Sequence, residues 1–180
     1  AQLPALQVAV PLVAAPLCLL VRGGRVAWGF ALTASWAALV IAILLLVLVF
    51  ENGIISYDFG GWNAPWGIEY RIDLVNAFVL LIVAGINSVV LFFARASVAN
   101  EVDSNRQPLF YTMWLLCLTG LLGIVMTGDA FNLFVFLEIS SLSSYVLIGF
   151  GRDRRALTAA YQYLVMGTIG ATFILIGVGL

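Results

Sequence analysis

Histidine and lysine are both missing from the sequence, and its eight positive charges are all arginine. Without histidine, the usual zinc and copper sites lose their commonest ligand. Without lysine, no Schiff base to a cofactor can form within the chain. Cysteine is scarce too. Cys18 and Cys117 lie far apart inside apolar runs, with no CxxC or haem-type spacing, and read as small packing residues. Charge is the most telling shortage. Only 9% of the residues are charged, whereas a soluble domain has about 25%. The net charge of −1 offers no basic surface for nucleic acid.

What is abundant is apolar: 63% of the 180 residues are hydrophobic. A membrane span needs about 20 apolar residues, and six stretches qualify. They run over residues 3–21, 26–50, 74–94, 109–127, 130–150 and from 156 to the last residue. The first lacks a positive leading segment and a small-residue cleavage site, so it reads as a span and not a signal peptide. Pro11 and Pro16 are expected to kink it. The apolar pattern of the sixth runs to the last residue, and there is no initiating Met. The sequence is therefore expected to be part of a longer protein.

Arginine placement sets the orientation. Arg22, Arg25, Arg95, Arg106, Arg152, Arg154 and Arg155 fall in the first, third and fifth connections. Only Arg71 falls in the second, and the fourth has none. The side with seven is assigned to the cytoplasm, with the N-terminus outside. The long outer connection carries Tyr57, Trp62, Trp66 and Tyr70, which suit a membrane–water interface, and Gly60-Gly61 and Pro65, which read as turns. Gly128-Asp129 separates the fourth and fifth spans, with Asp129 placed to cap the fifth helix. The fold class is thus all-α integral membrane with six transmembrane helices. No soluble domain, phosphate loop or nucleotide fingerprint is legible.

Few polar groups enter these spans. Glu138 lies near the middle of the fifth, where an unpaired carboxylate costs at least about 2.5 to 3.5 kcal/mol on insertion scales. Protonation, or a cation or water beside the ionised group, offsets that cost. No arginine lies deep enough in these spans to pair with it. A charge state poised on small rearrangements is what a proton relay requires; a structural Glu bonded to neighbouring helices is the bland alternative. Helical spacing puts Phe131, Phe134, Ser141, Leu142 and Tyr145 on the same face. Ser141 and Tyr145 are candidates to bond the carboxyl directly or through water. In the third span Asp73, Asn76 and Asn87 form a second polar stripe, read either as a hydrated path or as interhelical hydrogen bonding, the latter favoured. Small-xxx-small spacings at Gly167/Ala171, Thr168/Thr172 and Thr119/Gly123 mark close helix packing.

The stretch MTGDAFNLFVFLEISSLSSYVLIGF, an Arg-rich loop, and ALTAAYQYLVMGTIGATFILIGVGL together resemble the proton-translocating antiporter-like membrane subunits. That family includes the D-type subunit of Mrp-type multisubunit Na⁺/H⁺ antiporters and the large membrane-arm subunits of NADH:quinone oxidoreductase. The specific element is GD-FNLF-x-F-x-E, ending on Glu138; GGWNAPWGIEYRID is a weaker match. The resemblance covers about residues 55 to 180, and its wording is closest to the D-type antiporter branch.

The resemblance implies a subunit of about fourteen spans containing two inverted repeats. Residues 1–108 would supply three leading helices, and residues 109–180 the first three helices of the first repeat. Glu138 falls at the family's essential glutamate, which works with a lysine on the seventh helix, beyond this sequence. The implied function is proton translocation in a multisubunit monovalent cation (Na⁺)/proton antiporter of the bacterial cytoplasmic (inner) membrane. The implied partners are other membrane subunits, protons and a monovalent cation. The alternatives are a proton-pumping subunit of NADH:quinone oxidoreductase or a membrane-bound hydrogenase, and a purely structural membrane subunit. No cofactor and no metal is expected in this chain.

Overall fold

The computed structural model describes residues 2–21, 23–61, 67–151 and 154–180. Six helices account for nearly all of it: α1 (Leu3–Leu20), α2 (Gly24–Asn52), α3 (Leu74–Glu101), α4 (Gln107–Met126), α5 (Ala130–Gly149) and α6 (Arg154–Gly179). All six are long and apolar enough to cross a membrane. Arg22, Trp62, Pro65, Trp66 and Arg152 lie outside the described residues.

Three boundaries have a clear local cause. Gly53 takes a φ of 79° and closes α2 with its N–H on the Val49 carbonyl, a conformation that glycine adopts without steric penalty. Asp73 caps α3 by accepting from the Asn76 N–H at 2.8 Å. Asp129 caps α5 by accepting from the N–H groups of Phe131 and Asn132 at 3.2 and 3.1 Å. Pro11 and Pro16 both lie inside α1. α3 continues to Glu101, seven residues past the expected end at Ala94. Hydropathy marks where hydrocarbon ends, and a helix can run on into the interface.

α4 is the central helix. It packs against α1, α2, α3 and α5, while α6 packs mainly on α5. α2 meets its neighbours along one buried line: Ala27, Ala31, Ala34, Ala38, Ala42, Leu45 and Val49. The spacing of three and four residues keeps these side chains on one face. The small methyls bring backbones close, as membrane helices require where the hydrophobic effect gives no drive to associate. α4 and α5 approach more closely still. A Cβ added at Gly120 would meet the Ser140 nitrogen at 2.6 Å, and one at Gly123 would overlap the Phe136 ring.

One element was not expected. Within the second connection, strands β1 (Ile55–Asp58) and β2 (Glu69–Ile72) pair antiparallel, with Tyr57 opposite Tyr70. This hairpin docks on the α4–α5 turn: Tyr70 pairs with Thr127, and the Gly128 N–H donates to the Glu69 carbonyl at 2.9 Å. Tyr70, read as an interface residue, is instead 4% exposed, with its ring edge-to-face on Phe59 at 4.7 Å and tilted on Phe136 at 6.3 Å. Burial removes water from the phenol and pushes it up to about 12.

Candidate functional site

Glu138 sits near the middle of α5, about one turn or less from the helix midpoint. The residues of α5 that meet α4 are on the other side. Asn132, Phe136, Ser140 and Ser143 are buried there, and Ser144 comes within 3.4 Å of the Cys117 sulfur. At 100° per residue, Glu138 points roughly opposite Phe136 and Ser143. It is half-buried, and among the described residues no hydrogen bond or ion pair reaches its carboxyl. Its face also carries Phe131, 61% exposed, and Leu142, 49% exposed.

α6 covers the inner half of this face. Tyr145 is buried there, edge-to-face with Tyr163 at 4.9 Å. Its hydroxyl lies so close to Gly167 that a Cβ at 167 would overlap it. Tyr145 is two turns from Glu138, about 10 Å along the axis, and makes no hydrogen bond to it among the described residues. Ser141 is half-buried on the same face and likewise does not bond the carboxyl. The remaining serines turn back on their own helix. Ser140 donates to the Leu137 carbonyl at 3.0 Å, Ser143 to Ile139 at 2.6 Å and Ser144 to Ser140 at 2.8 Å.

The second stripe does not join this site. Asp73 is occupied as the α3 cap. The Asn76 amide donates to the Arg71 carbonyl at 3.0 Å and to the Val125 carbonyl at 2.9 Å, tying α3 to the end of α4. Asn87 donates to the Ser35 hydroxyl at 2.8 Å and accepts from the Trp114 indole at 2.7 Å, so one amide clamps α2, α3 and α4. All three make interhelical or capping bonds. Asp129 caps the outer end of α5, some 13 Å above Glu138 on the helix axis. Beside it the Asn132 amide donates to the Thr127 hydroxyl at 3.1 Å. No cluster of three or more metal-ligating side chains is present among the described residues.

Gln7 is a further polar residue inside the bundle, one that charge and motif patterns do not single out. It is fully buried in the inward stripe of α1, and neither its amide nitrogen nor its oxygen has a partner among the described residues. Its own backbone carbonyl also loses its usual donor, because Pro11 four residues on has no N–H. The signal was there: Gln7 is the one polar residue in a stripe with Pro4, Val8, Pro11, Ala15 and Cys18.

A six-helix bundle with an unpaired carboxyl at mid-span, on a face that its own helices only half cover, defines a multi-pass membrane protein. Sequence comparison gives the kind more closely. Residues 127–180 match the family described as "NADH:quinone oxidoreductase/Mrp antiporter, TM", and the chain is a relative of those antiporter-like membrane subunits. It is 42% identical to the N subunit of the NADH-quinone oxidoreductase of Desulforudis audaxviator, over 99% of this chain and 36% of that protein. It is 34% identical to the D subunit of the Na(+)/H(+) antiporter of Alkalihalophilus pseudofirmus, over 86% of this chain and 30% of that one. The chain spans about a third of the length of these curated relatives.

Solved structures agree. A chain of the membrane-bound sulfane sulfur reductase, an archaeal respiratory membrane complex, superposes with a TM-score of 0.88 at 31% identity, covering 98% of this chain and 36% of that one. A chain of the Mrp complex from Dietzia sp. gives 0.87 at 26% identity, covering 100% and 34%. The likeness therefore includes α1 and α2, which precede the stretch of about residues 55 to 180 that carries the resemblance.

Proposed function

We propose that this chain is the N-terminal part of a proton-translocating subunit in a multisubunit complex of the bacterial inner membrane, with Glu138 as its proton relay. Residues 1–108 supply the leading helices, and residues 109–180 open the first repeat. The observation that carries the proposal is the position of Glu138: mid-span, half-buried, unpaired, and on the side of α5 turned away from α4. A carboxyl so placed is costly unless something outside these six helices neutralises or hydrates it. A cation brought close favours its ionised form, and one moved away favours the protonated form. Alternation between those states transfers a proton.

Two driving forces fit. In a cation/proton antiporter, entry of Na⁺ or another monovalent cation would change the field at Glu138. In a redox complex, electron transfer in other subunits would do so. The names of the relatives include both kinds, and the 42% identity to a quinone oxidoreductase subunit favours the second as much as the antiporter wording of the motif favours the first.

The test is Glu138→Gln in the full-length, assembled complex, in inverted vesicles, with assembly checked by native gel. The relay reading expects loss of ΔpH formation with assembly intact. Full activity in the variant would reduce Glu138 to a structural residue. In the wild type, ΔpH driven by a cation gradient identifies the antiporter; ΔpH appearing only with quinone-linked electron transfer identifies the redox complex.

A further inference from the structure

At the arginine-rich end of the bundle, α2, α3 and α4 leave a cavity of about 590 Å³. Arg25, Arg95, Gln107 and Tyr111 line it, and Gly24 forms its floor against Gln107. No acidic side chain lines it among the described residues. Glu101, the nearest acidic residue on α3, lines a separate hollow with Val98 and Trp114. Among the described residues neither Arg25 nor Arg95 pairs with a carboxylate.

Arg95 and Gln107 are held in place. The Arg95 guanidinium lies 5.0 Å from the centre of the Trp28 ring, and the Trp28 indole is fixed by donating to the Leu91 carbonyl at 3.0 Å. Gln107 donates to the Val102 carbonyl at 3.3 Å, which leaves its side-chain oxygen against Gly24; a Cβ at 24 would overlap it. Tyr111 is 2% exposed, lines the cavity, and its hydroxyl has no hydrogen-bond partner among the described residues. Two guanidinium groups that pair with no carboxylate among the described residues, and a hydroxyl without a partner among them, line one hollow. That is the donor set for a phosphate group.

The apolar side of the cavity narrows the ligand further. Phe92 and Phe93 line it, are 54% and 71% exposed, and sit edge-to-face at 5.4 Å. They lie on the membrane side of Arg95 along α3, so a ligand filling the cavity is anionic at its tip away from the bilayer and greasy towards it. We propose that this cavity binds an acidic phospholipid, its phosphate between Arg25, Arg95 and Tyr111 and an acyl chain along Phe92 and Phe93. The site lies on the side assigned to the cytoplasm, where basic pockets between transmembrane helices meet anionic headgroups.

The test uses the full-length protein in nanodiscs containing phosphatidylglycerol, phosphatidylethanolamine and phosphatidylcholine in equal parts. Native mass spectrometry reads the lipids that stay bound. The wild type is expected to retain phosphatidylglycerol in preference to the zwitterionic lipids. Arg25→Gln and Arg95→Gln should each lower that retention about fivefold, and Arg25→Lys/Arg95→Lys should largely restore it, which separates lost charge from misfolding. Retention unchanged in the two Gln variants overturns the proposal. So does equal thermal stabilisation of the wild type by inorganic phosphate in pure phosphatidylcholine discs, which would make the cavity a site for free anions.

Discussion

The Tyr145 hydroxyl rests against the backbone of Gly167, in the space that a side chain at 167 would occupy. This contact joins α5 and α6 on the face that carries Glu138. Gly167→Ala should push the ring off Tyr163 and lower stability by about 1 to 3 kcal/mol, the usual range for overpacking. Tyr145→Phe removes the nearest atom but leaves the ring Cζ 2.7 Å from the added methyl, so the double variant should recover part of the loss. Thermal midpoints of the four proteins in one detergent measure the coupling. If the double variant is no better than Gly167→Ala alone, the contact is not what sets the helix spacing.

Asn87 is expected to act as a clamp. Asn87→Leu leaves the Trp114 indole N–H without its acceptor and Ser35 without its donor. Hydrogen bonds of this kind in membrane proteins are worth about 0.6 kcal/mol each on average, and at most about 1.7. The variant should therefore be less stable by about 1 to 2 kcal/mol yet keep transport activity. Loss of transport at normal stability and assembly would instead revive the hydrated-path reading of this stripe.

Gln7→Leu should go the other way. Both polar atoms of the amide are buried without partners among the described residues, and an unsatisfied buried group forfeits its hydration for nothing in return. An apolar side chain of similar size should leave the thermal midpoint unchanged or raise it. A clear drop would mean that Gln7 finds a partner in the assembled complex.

Tyr70 predicts an alkaline limit. Burial raises its phenol from 10.0 to about 12. A group with a raised folded value contributes stability that is fully present below its unfolded value and lost as pH rises through the folded one. Stability should therefore hold up to about pH 10 and fall towards about pH 12. Tyr70→Phe should make that part of the curve shallower. Tyrosinate absorbance, followed together with unfolding, checks the assignment.

The outer turn of α5 was legible residue by residue, because a glycine and an N-cap aspartate interrupt two apolar runs. The hairpin was not. Its strands are four residues long, and what they bury is buried against helix ends, which hydropathy along the chain does not register. Glu138 shows the same division. Its depth follows from counting residues. Its face relative to α4 does not, because 3.6-residue periodicity groups Glu138 with Tyr145 but says nothing of which helix covers them. Gly123, read with Thr119 as a packing residue, seats Phe136; Gly120 beside it seats Ser140. Together they fix the way α5 is turned.

The alanine line of α2 governs how this region can change over time. Its outward residues, such as Trp36 and Ile43, face away from the seam and can be exchanged among apolar types at little cost. The length of the helix between Ala27 and Val49 has no such freedom. One added residue would rotate everything beyond it by about 100°, sending methyl groups outwards and bulky side chains into a seam with no room for them. Variation here should appear as substitution and almost never as a gap, and any insertion that survives should come as about seven residues, two full turns.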